Sequence, residues 1–384
     1  MKHLLQSFTI KFEYPIYFTS AIFQIENTLL NDYLQRFSTK GITRKIMFVI
    51  DRGVTDVNTN LIADIKAYFA VYNIVNLVPH ILIVEGGEVV KSNETYINQV
   101  LEAINKYGID RHSYIAAIGG GAVLDMVGYV AAIAHRGIKH IRMPTTVLSQ
   151  NDSGIGVKNG INYFSKKNFL GTFVPPVAVF NDEKFLETLS TRDWRSGISE
   201  AVKVALLKDA KFFNWISDNV SALVERDMPT MHYLIWRCAQ LHMQHIAGND
   251  PFESGSSRPL DFGHWSAHKL EYLTNFEVRH GEAVALGIAM DTVYSNLSGR
   301  LADEPMELIL KTLLDLGFAV SHPLLQVEGR ESPIISGLED FREHLGGQLT
   351  IILLTGIGEG TEVHEMDIKL LKQAGEMLNE IPLR

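Results

Sequence analysis

The sequence predicts an α/β protein of two domains, a parallel sheet flanked by helices followed by a helical domain. Three observations carry this. Between residues 45 and 146, short apolar β-rich runs alternate with segments of helical period. Acids, glycines and threonines gather where those runs end, the side of a parallel sheet on which ligands sit. From Phe185 onward, apolar residues recur at helical spacing. The boundary is placed near Asn181-Asp182, giving domains 1–182 and 183–384 with a cleft between them.

Taken in order, KIMFVI (Lys45–Ile50) reads as a strand ending at Asp51, and Leu61–Tyr72 as a helix. His80–Val84 reads as a second strand, closed by the turn Glu85-Gly86-Gly87-Glu88. A helix follows over Asn93–Tyr107. Tyr114–Ile118 is a third strand, running into Gly119-Gly120-Gly121 and a small-residue helix, Ala122–Ala134. Ile141–Met143 is a further strand, ending at Pro144-Thr145-Thr146. In the second half, amphipathic stretches predict helices over Gly197–Lys208, Phe212–Arg226, Thr230–Ile246, Ser266–Leu273, Ala283–Leu297 and Glu307–Leu316.

The bulk composition narrows the function. With 384 residues, the chain can bury two sizeable cores. An apolar fraction of 46% and a charged fraction of 21% are ordinary for a globular protein. The net charge of −9 argues against a nucleic-acid binder but leaves room for a locally basic pocket. One cysteine, Cys238 in YLIWRCAQL, excludes an internal disulfide and reads as a core residue in a reducing compartment. Lys11 and Glu13 interrupt the N-terminal apolar run, which makes it a poor signal peptide, and no run of 18 uncharged apolar residues predicts a membrane span. A cytoplasmic protein is expected.

Four segments carry chemistry. Gly119–Gly121 lies between a strand and a helix, where backbone N–H groups can approach a pyrophosphate at the helix N-terminus. It is not the GxGxxG fingerprint, and a tight turn without ligand reads equally well. Asp51, ending the first strand, could hold a ribose hydroxyl and strengthens the nucleotide reading. The segment Ser149–Gly171 is rich in Gly, Asn, Ser and Lys. Lys158, Lys166, Lys167 and Asn168 offer donors for phosphate oxygens, whereas composition alone describes a solvated loop. In GISEAVK, Glu200 and Lys203 share a helix face, as either a surface ion pair or a semi-buried pair needing a partner or a metal. Last, LDFGHWSAHKLEYLTNFEVRHGE holds His264 and His268 one helical turn apart, then His280. Glu200, His264 and His280 would make a Glu/His/His set with an open position, as in catalytic zinc sites, leaving His268 free to act as an acid, a base or an orienting group.

These blocks resemble a known family. GGGAVLDMVGYVAAIAHRG, MPTTVLSQNDSGIGVKNGIN, KKNFLGTF, GISEAVKVALLKD, DFGHWSAHKLE and RHGEAVALGIAMD are similar, in order, to the successive blocks of the sugar phosphate cyclases, the dehydroquinate synthase superfamily. The resemblance spans roughly Asp51 to Met290. It implies a Rossmann-like NAD domain, an α-helical metal-binding domain, a homodimer, and Zn²⁺ or Co²⁺. Carried over by residue, the metal ligands would be Glu200, His264 and His280. NAD would be held by Asp51, Glu88, Lys91, Gly119, Gly120, Gly121, Asp125, Thr145, Thr146, Asp152, Lys158, Lys167 and Thr188. Substrate and catalytic groups would include Asp152, Lys158, Asn168, Lys203, His268 and Asp261. Arg136 would be a phosphate contact from the dimer partner.

Departures from the dehydroquinate synthase pattern bear on the substrate. The lysine that grips a carboxylate aligns with His242. The corresponding arginine falls in GSSRPLDFGH, where Arg258 is shifted and Pro259 lies close to the place. An asparagine three residues before the first metal histidine becomes Asp261, and the late basic position falls near His344. A carboxylate in a closed site needs its cations, so this set disfavours one and suits a neutral polyol instead. The segments NDSGIGVKNGIN, DPFESGSSRPLDFGHWSAHKLE, FREHLGGQLT and TEVHE resemble those of the sedoheptulose 7-phosphate cyclases, especially the 2-epi-5-epi-valiolone synthases. The implied reaction oxidises a hydroxyl-bearing carbon transiently with NAD⁺, eliminates phosphate, returns the hydride and closes the carbocycle by an intramolecular aldol. The alternatives are a 2-epi-valiolone or other cyclitol synthase, 3-dehydroquinate synthase, a metal-dependent polyol dehydrogenase, and a non-catalytic binding protein.

Overall fold

The computed structural model describes residues 3–37, 42–164, 166–248, 252, 260–344 and 347–381. Arg258 and Pro259 lie outside the described residues, as does the side chain of His344. The chain divides into two compact units, Met1–Thr145 with Val157–Thr188, and Thr146–Gly156 with Leu189–Arg384. This differs from a single cut near Asn181-Asp182, because Thr146–Gly156 groups with the second half.

In the first unit the elements run β1 (Ile16–Thr19), α1 (Leu29–Arg36), β2 (Lys45–Asp51), α2 (Arg52–Val57), α3 (Leu61–Val71), β3 (Asn76–Leu77), β4 (Leu82–Val84), α4 (Val89–Ser92), α5 (Glu94–Tyr107), β5 (Tyr114–Gly119), α6 (Gly121–Ile133), β6 (Lys139–Pro144), β7 (Lys158–Tyr163), β8 (Lys166–Phe173), β9 (Ala178–Asp182) and α7 (Lys184–Glu187). The main sheet is ordered β1-β9-β6-β5-β2-β3, with β4 also on β2, and its pairs are parallel. Successive residues of a strand face opposite layers. Ile46, Phe48 and Ile50 of β2 enter one core beside Tyr114, Ala116 and Ile118. Met47 and Val49 enter the other with Ile115 and Ala117, against Val123, Val127 and Val130 of α6. Burial on both faces is why these strands read as unbroken apolar runs rather than alternating ones.

The lysine-rich stretch is not an open loop. After a helical turn over Ser149–Ser153, it forms the antiparallel hairpin β7-β8. Fully buried Arg142 anchors it, donating to the Lys158 carbonyl at 2.9 Å and to Asn159 Oδ1 at 2.7 Å. Gly160 and Gly171 face each other so closely that a Cβ on either would come within 3.1 Å of the opposite backbone. A polar composition hid this hairpin because its fixing group lies on another strand.

The second unit contains α8 (Thr191–Lys208), α9 (Ala210–Asp218), α10 (Val220–Val224), α11 (Met228–Ile246), α12 (His264–Leu273), α13 (His280–Leu297), α14 (Asp303–Asp315), α15 (Ser336–His344), the hairpin β10 (Ile351–Gly356) and β11 (Glu359–Val363), and α16 (Ile368–Asn379). The single helix expected over Phe212–Arg226 is broken between α9 and α10. There the Asn219 side chain donates to the Trp215 carbonyl, competing with the helical pattern. Cys238 is buried in α11. The turn Ser149–Ser153 rests on α8, where Asn151 Nδ2 donates to the Gly197 carbonyl at 2.7 Å. A Cβ on Gly197 would fall 2.3 Å from Leu148 N, so only glycine allows that approach. No helix among the described residues is long and apolar enough to cross a membrane.

Candidate active site

In the second unit, α8, α12 and α13 bring three ligand atoms together. Glu200 lies on α8, while His264 and His280 are the first residues of α12 and α13. His264 Nε2 is 3.5 Å and His280 Nε2 3.1 Å from Glu200 Oε1. The start of α13 is fixed by a capping box, with Glu282 accepting from the Arg279 N–H at 2.9 Å. Gly281 lets this end press on α8, since a Cβ there would sit 2.1 Å from the Ser196 carbonyl oxygen. Gly263 and Gly287 do the same between α12 and α13, and Gly263 adopts φ +74° immediately before His264.

The two imidazoles have their tautomers set from behind. His264 Nδ1 is 3.1 Å from the Phe262 carbonyl, which can only accept, so Nδ1 carries the proton. His280 Nδ1 is 3.0 Å from Glu271 Oε2. Each Nε2 faces Glu200 Oε1, donating to it when the ring is protonated and free to turn a lone pair to a cation when it is not, and the three ligand atoms lie within 4.8 Å of one another. Such a donor set fits a divalent cation of the zinc type.

Around this set the charges compensate. Lys203 Nζ lies 2.5 Å from Glu200 Oε2, and both side chains are almost wholly buried. Burial pushes the Glu200 carboxyl up, but Lys203 and the two histidines more than reverse this and hold it well below the usual range. Burial likewise lowers Lys203, and Glu200 and Asp152 raise it above an ordinary lysine. Asp261 adds to that field. His242 Nε2 lies 2.8 Å from Asp152 Oδ1, and its Nδ1 is 3.2 Å from the Cys238 carbonyl. Burial lowers this imidazole, yet Asp152 dominates and lifts it to about 10, while His242 holds Asp152 below the usual carboxylate range against its own desolvation. The His268 ring meets His264 edge-on at 5.2 Å and stacks on His280 at 5.8 Å.

In the first unit the expected nucleotide residues form two neighbourhoods. Asp51 caps α2 through the Gly53 N–H, and burial raises its carboxyl. It faces Gly86, where a Cβ would fall 2.4 Å from its carboxylate, and Gly119, where a Cβ would meet its own Cβ at 3.1 Å. Gly120 is the N-cap of α6, and the Thr145 N–H donates to the Gly119 carbonyl. The second neighbourhood centres on buried Lys91, which bonds Asp125 at 2.9 Å and Asn168 at 2.5 Å. Glu88 accepts from Asn162 at 3.1 Å and lies 3.7 Å from Lys167.

Lys158 is exposed at the start of β7, and Arg136 is exposed on the turn after α6 with φ +63°. Thr188 Oγ1 bonds the Phe185 carbonyl, and Thr146 is bonded to Ser149. Two residues of the metal neighbourhood escaped the sequence reading. Glu271 follows His264 by seven positions and His268 by three, the spacing of one helix face. Asp291 accepts from the Gly263 N–H at 3.0 Å and Trp265 Nε1 at 2.8 Å, bracing His264, and burial pushes its carboxyl up to about 7.

The chain belongs to the 3-dehydroquinate synthase family, within the sugar phosphate cyclases: the model of that enzyme's N-terminal part matches residues 81–196, and that of its C-terminal part residues 197–332. Among its relatives, the 3-dehydroquinate synthase of Acinetobacter baumannii is 34% identical over 73% of this chain and 76% of its own length. That of Acinetobacter baylyi is 33% identical over 77% and 80%. Among solved structures, a 2-epi-5-epi-valiolone synthase from Streptomyces hygroscopicus, with NAD⁺ and Zn²⁺ bound, aligns with TM-score 0.87 and 28% identity over 98% of this chain and 99% of that one. A 2-deoxy-scyllo-inosose synthase holding carbaglucose-6-phosphate, NAD⁺ and Co²⁺ shares the fold, at TM-score 0.76 and 23% identity over 94% and 96%.

Proposed function

We propose that this chain is a sugar phosphate cyclase that converts sedoheptulose 7-phosphate to a C7 cyclitol of the 2-epi-5-epi-valiolone type, releasing phosphate. It would use NAD⁺ and Zn²⁺ or Co²⁺, the cofactors of the valiolone synthase it resembles over nearly its whole length. The observation that carries the substrate reading is the His242–Asp152 pair. Where a dehydroquinate synthase is expected to present a lysine to a carboxylate, this chain has an imidazole already committed to an aspartate. A pair with no net charge offers nothing to a second anion, while Asp261 can accept hydroxyl protons.

When bound, a divalent cation supplies Lewis acidity and NAD⁺ a reversible hydride acceptor. The chain supplies the rest. Glu200, His264 and His280 would hold the cation, and Lys203, kept charged by Glu200, would stabilise an oxyanion beside it. His268, packed on both ligand histidines, would pass the proton. In the first unit, Asp51, the glycines 119–121 and the Lys91–Asp125 pair would hold the nucleotide. Under this reading the protein works in the cytoplasm as a homodimer, and Arg136 is the residue a second copy would contribute.

The curated relatives favour a second reading, 3-dehydroquinate synthase itself. One experiment separates them. The protein is incubated with NAD⁺, Zn²⁺ or Co²⁺ and sedoheptulose 7-phosphate, with the C7 carboxylate phosphate precursor of dehydroquinate in a parallel arm. Phosphate release and a cyclitol by NMR in the first arm alone support the proposal; turnover only in the second overturns it. Net NADH formation without phosphate would mark a polyol dehydrogenase.

A further inference from the structure

Two overlapping groups in the second unit could each hold a cation, Glu200/His264/His280 and His268/Glu271/His280. They share His280 and cannot both be served by its one lone pair. Glu271 sits on α12 two turns after His264, and its side chain is 3% exposed. Its Oε2 lies 3.0 Å from His280 Nδ1, while His280 Nε2 points at Glu200 Oε1 3.1 Å away. Burial and geometry together indicate which group is built for the ion. A ring whose Nδ1–H is held by a carboxylate presents its Nε2 lone pair in a fixed direction and with raised basicity. His264 achieves the same with the Phe262 carbonyl, a neutral acceptor.

We propose that Glu271 is a positioning residue for His280, fixing its tautomer and ring direction toward Glu200 and His264, and is not itself a ligand. This rests on the ligand reading above. The consequence is an asymmetric pair of histidines, with a carboxylate-backed His280 as the stronger donor.

The test uses full-length protein stripped of metal and loaded with Zn²⁺ against a competing chelator, or with Co²⁺ for its visible d–d spectrum. Glu271→Ala should weaken Zn²⁺ binding about 10–100-fold and alter the Co²⁺ band shape. Glu271→Gln, whose amide oxygen can still accept from Nδ1–H, should recover most of the affinity and keep the wild-type band pattern. Matching far-UV circular dichroism of the stripped variants separates this from misfolding, and Glu271→Gln carries the test if the alanine variant fails to fold. Unchanged affinity and spectrum in Glu271→Ala would overturn the proposal. So would a Glu271→Gln spectrum showing a lost ligand. Failure of the ligand reading looks different, since His264→Ala would then bind Zn²⁺ as tightly as the parent.

Discussion

Glu200 and Lys203 are three residues apart on α8, and on an exposed helix such a pair would contribute only a few tenths of a kcal/mol, roughly 0.3–0.5. Here both are buried, so each charge depends on the other. Replacing Lys203 by methionine removes the strongest charge compensating the buried Glu200 carboxylate. Chemical denaturation of the stripped protein should show a loss of about 3–5 kcal/mol. Removing a proposed ligand should act on function more than on folding. His264→Ala should lose bound metal, measured by elemental analysis, and lose phosphate release with it; a fully active variant would exclude the ligand assignment. The Glu/His/His set was a candidate by residue type and by the family resemblance, and the fold brings its three side chains together. Glu271 and Asp291 were not singled out, because acids on a helix face are usually solvated. Only the packing of α12 on α13 shows that they bind His280 and the segment before His264.

At the scale of elements, contacts between backbones decide the geometry. The N-terminal end of α13 reaches α8 because position 281 has no side chain. Gly281→Ala should force the helices apart, costing about 1–3 kcal/mol by overpacking and weakening Zn²⁺ affinity as His280 withdraws from Glu200. Calorimetric unfolding and metal titration read the two effects. The turn Ser149–Ser153 is tied to α11 through Asp152 and His242, and this tie is sensitive to pH. His242 has a folded pKa of about 10, above its ordinary 6.5. The folded protein holds that proton more tightly than the unfolded chain, so the stabilisation is complete below about pH 6.5 and is lost as pH rises toward 10. Denaturation midpoints of metal-stripped protein should fall across that window, and the fall should be smaller in His242→Gln. The parallel strands and long helices followed from periodicity. The β7-β8 hairpin did not, because buried Arg142, on another strand, fixes its register.

For the whole molecule, the family models and the sheet-then-helix order agree that this is a sugar phosphate cyclase architecture. A cation that binds the folded chain and not the unfolded one stabilises it by mass action. Zn²⁺ at 100 times its dissociation constant should add about 2.7 kcal/mol, seen as a higher melting temperature that chelator reverses. Glu200→Gln should abolish most of that increment. By itself the sequence determined the α/β class and the glycine turn after β5, because these depend on residue type, period and short spacing, while the convergence of Glu200 with His264 and His280 waited on the packing of α8 against α12 and α13. Tertiary structure alone decided that Thr146–Gly156 groups with the helical unit, that Lys91 rather than open solvent meets Asn168, and that His242 is committed to Asp152. Those outcomes depend on which charges are buried together, and burial is set by contacts between residues far apart in the chain.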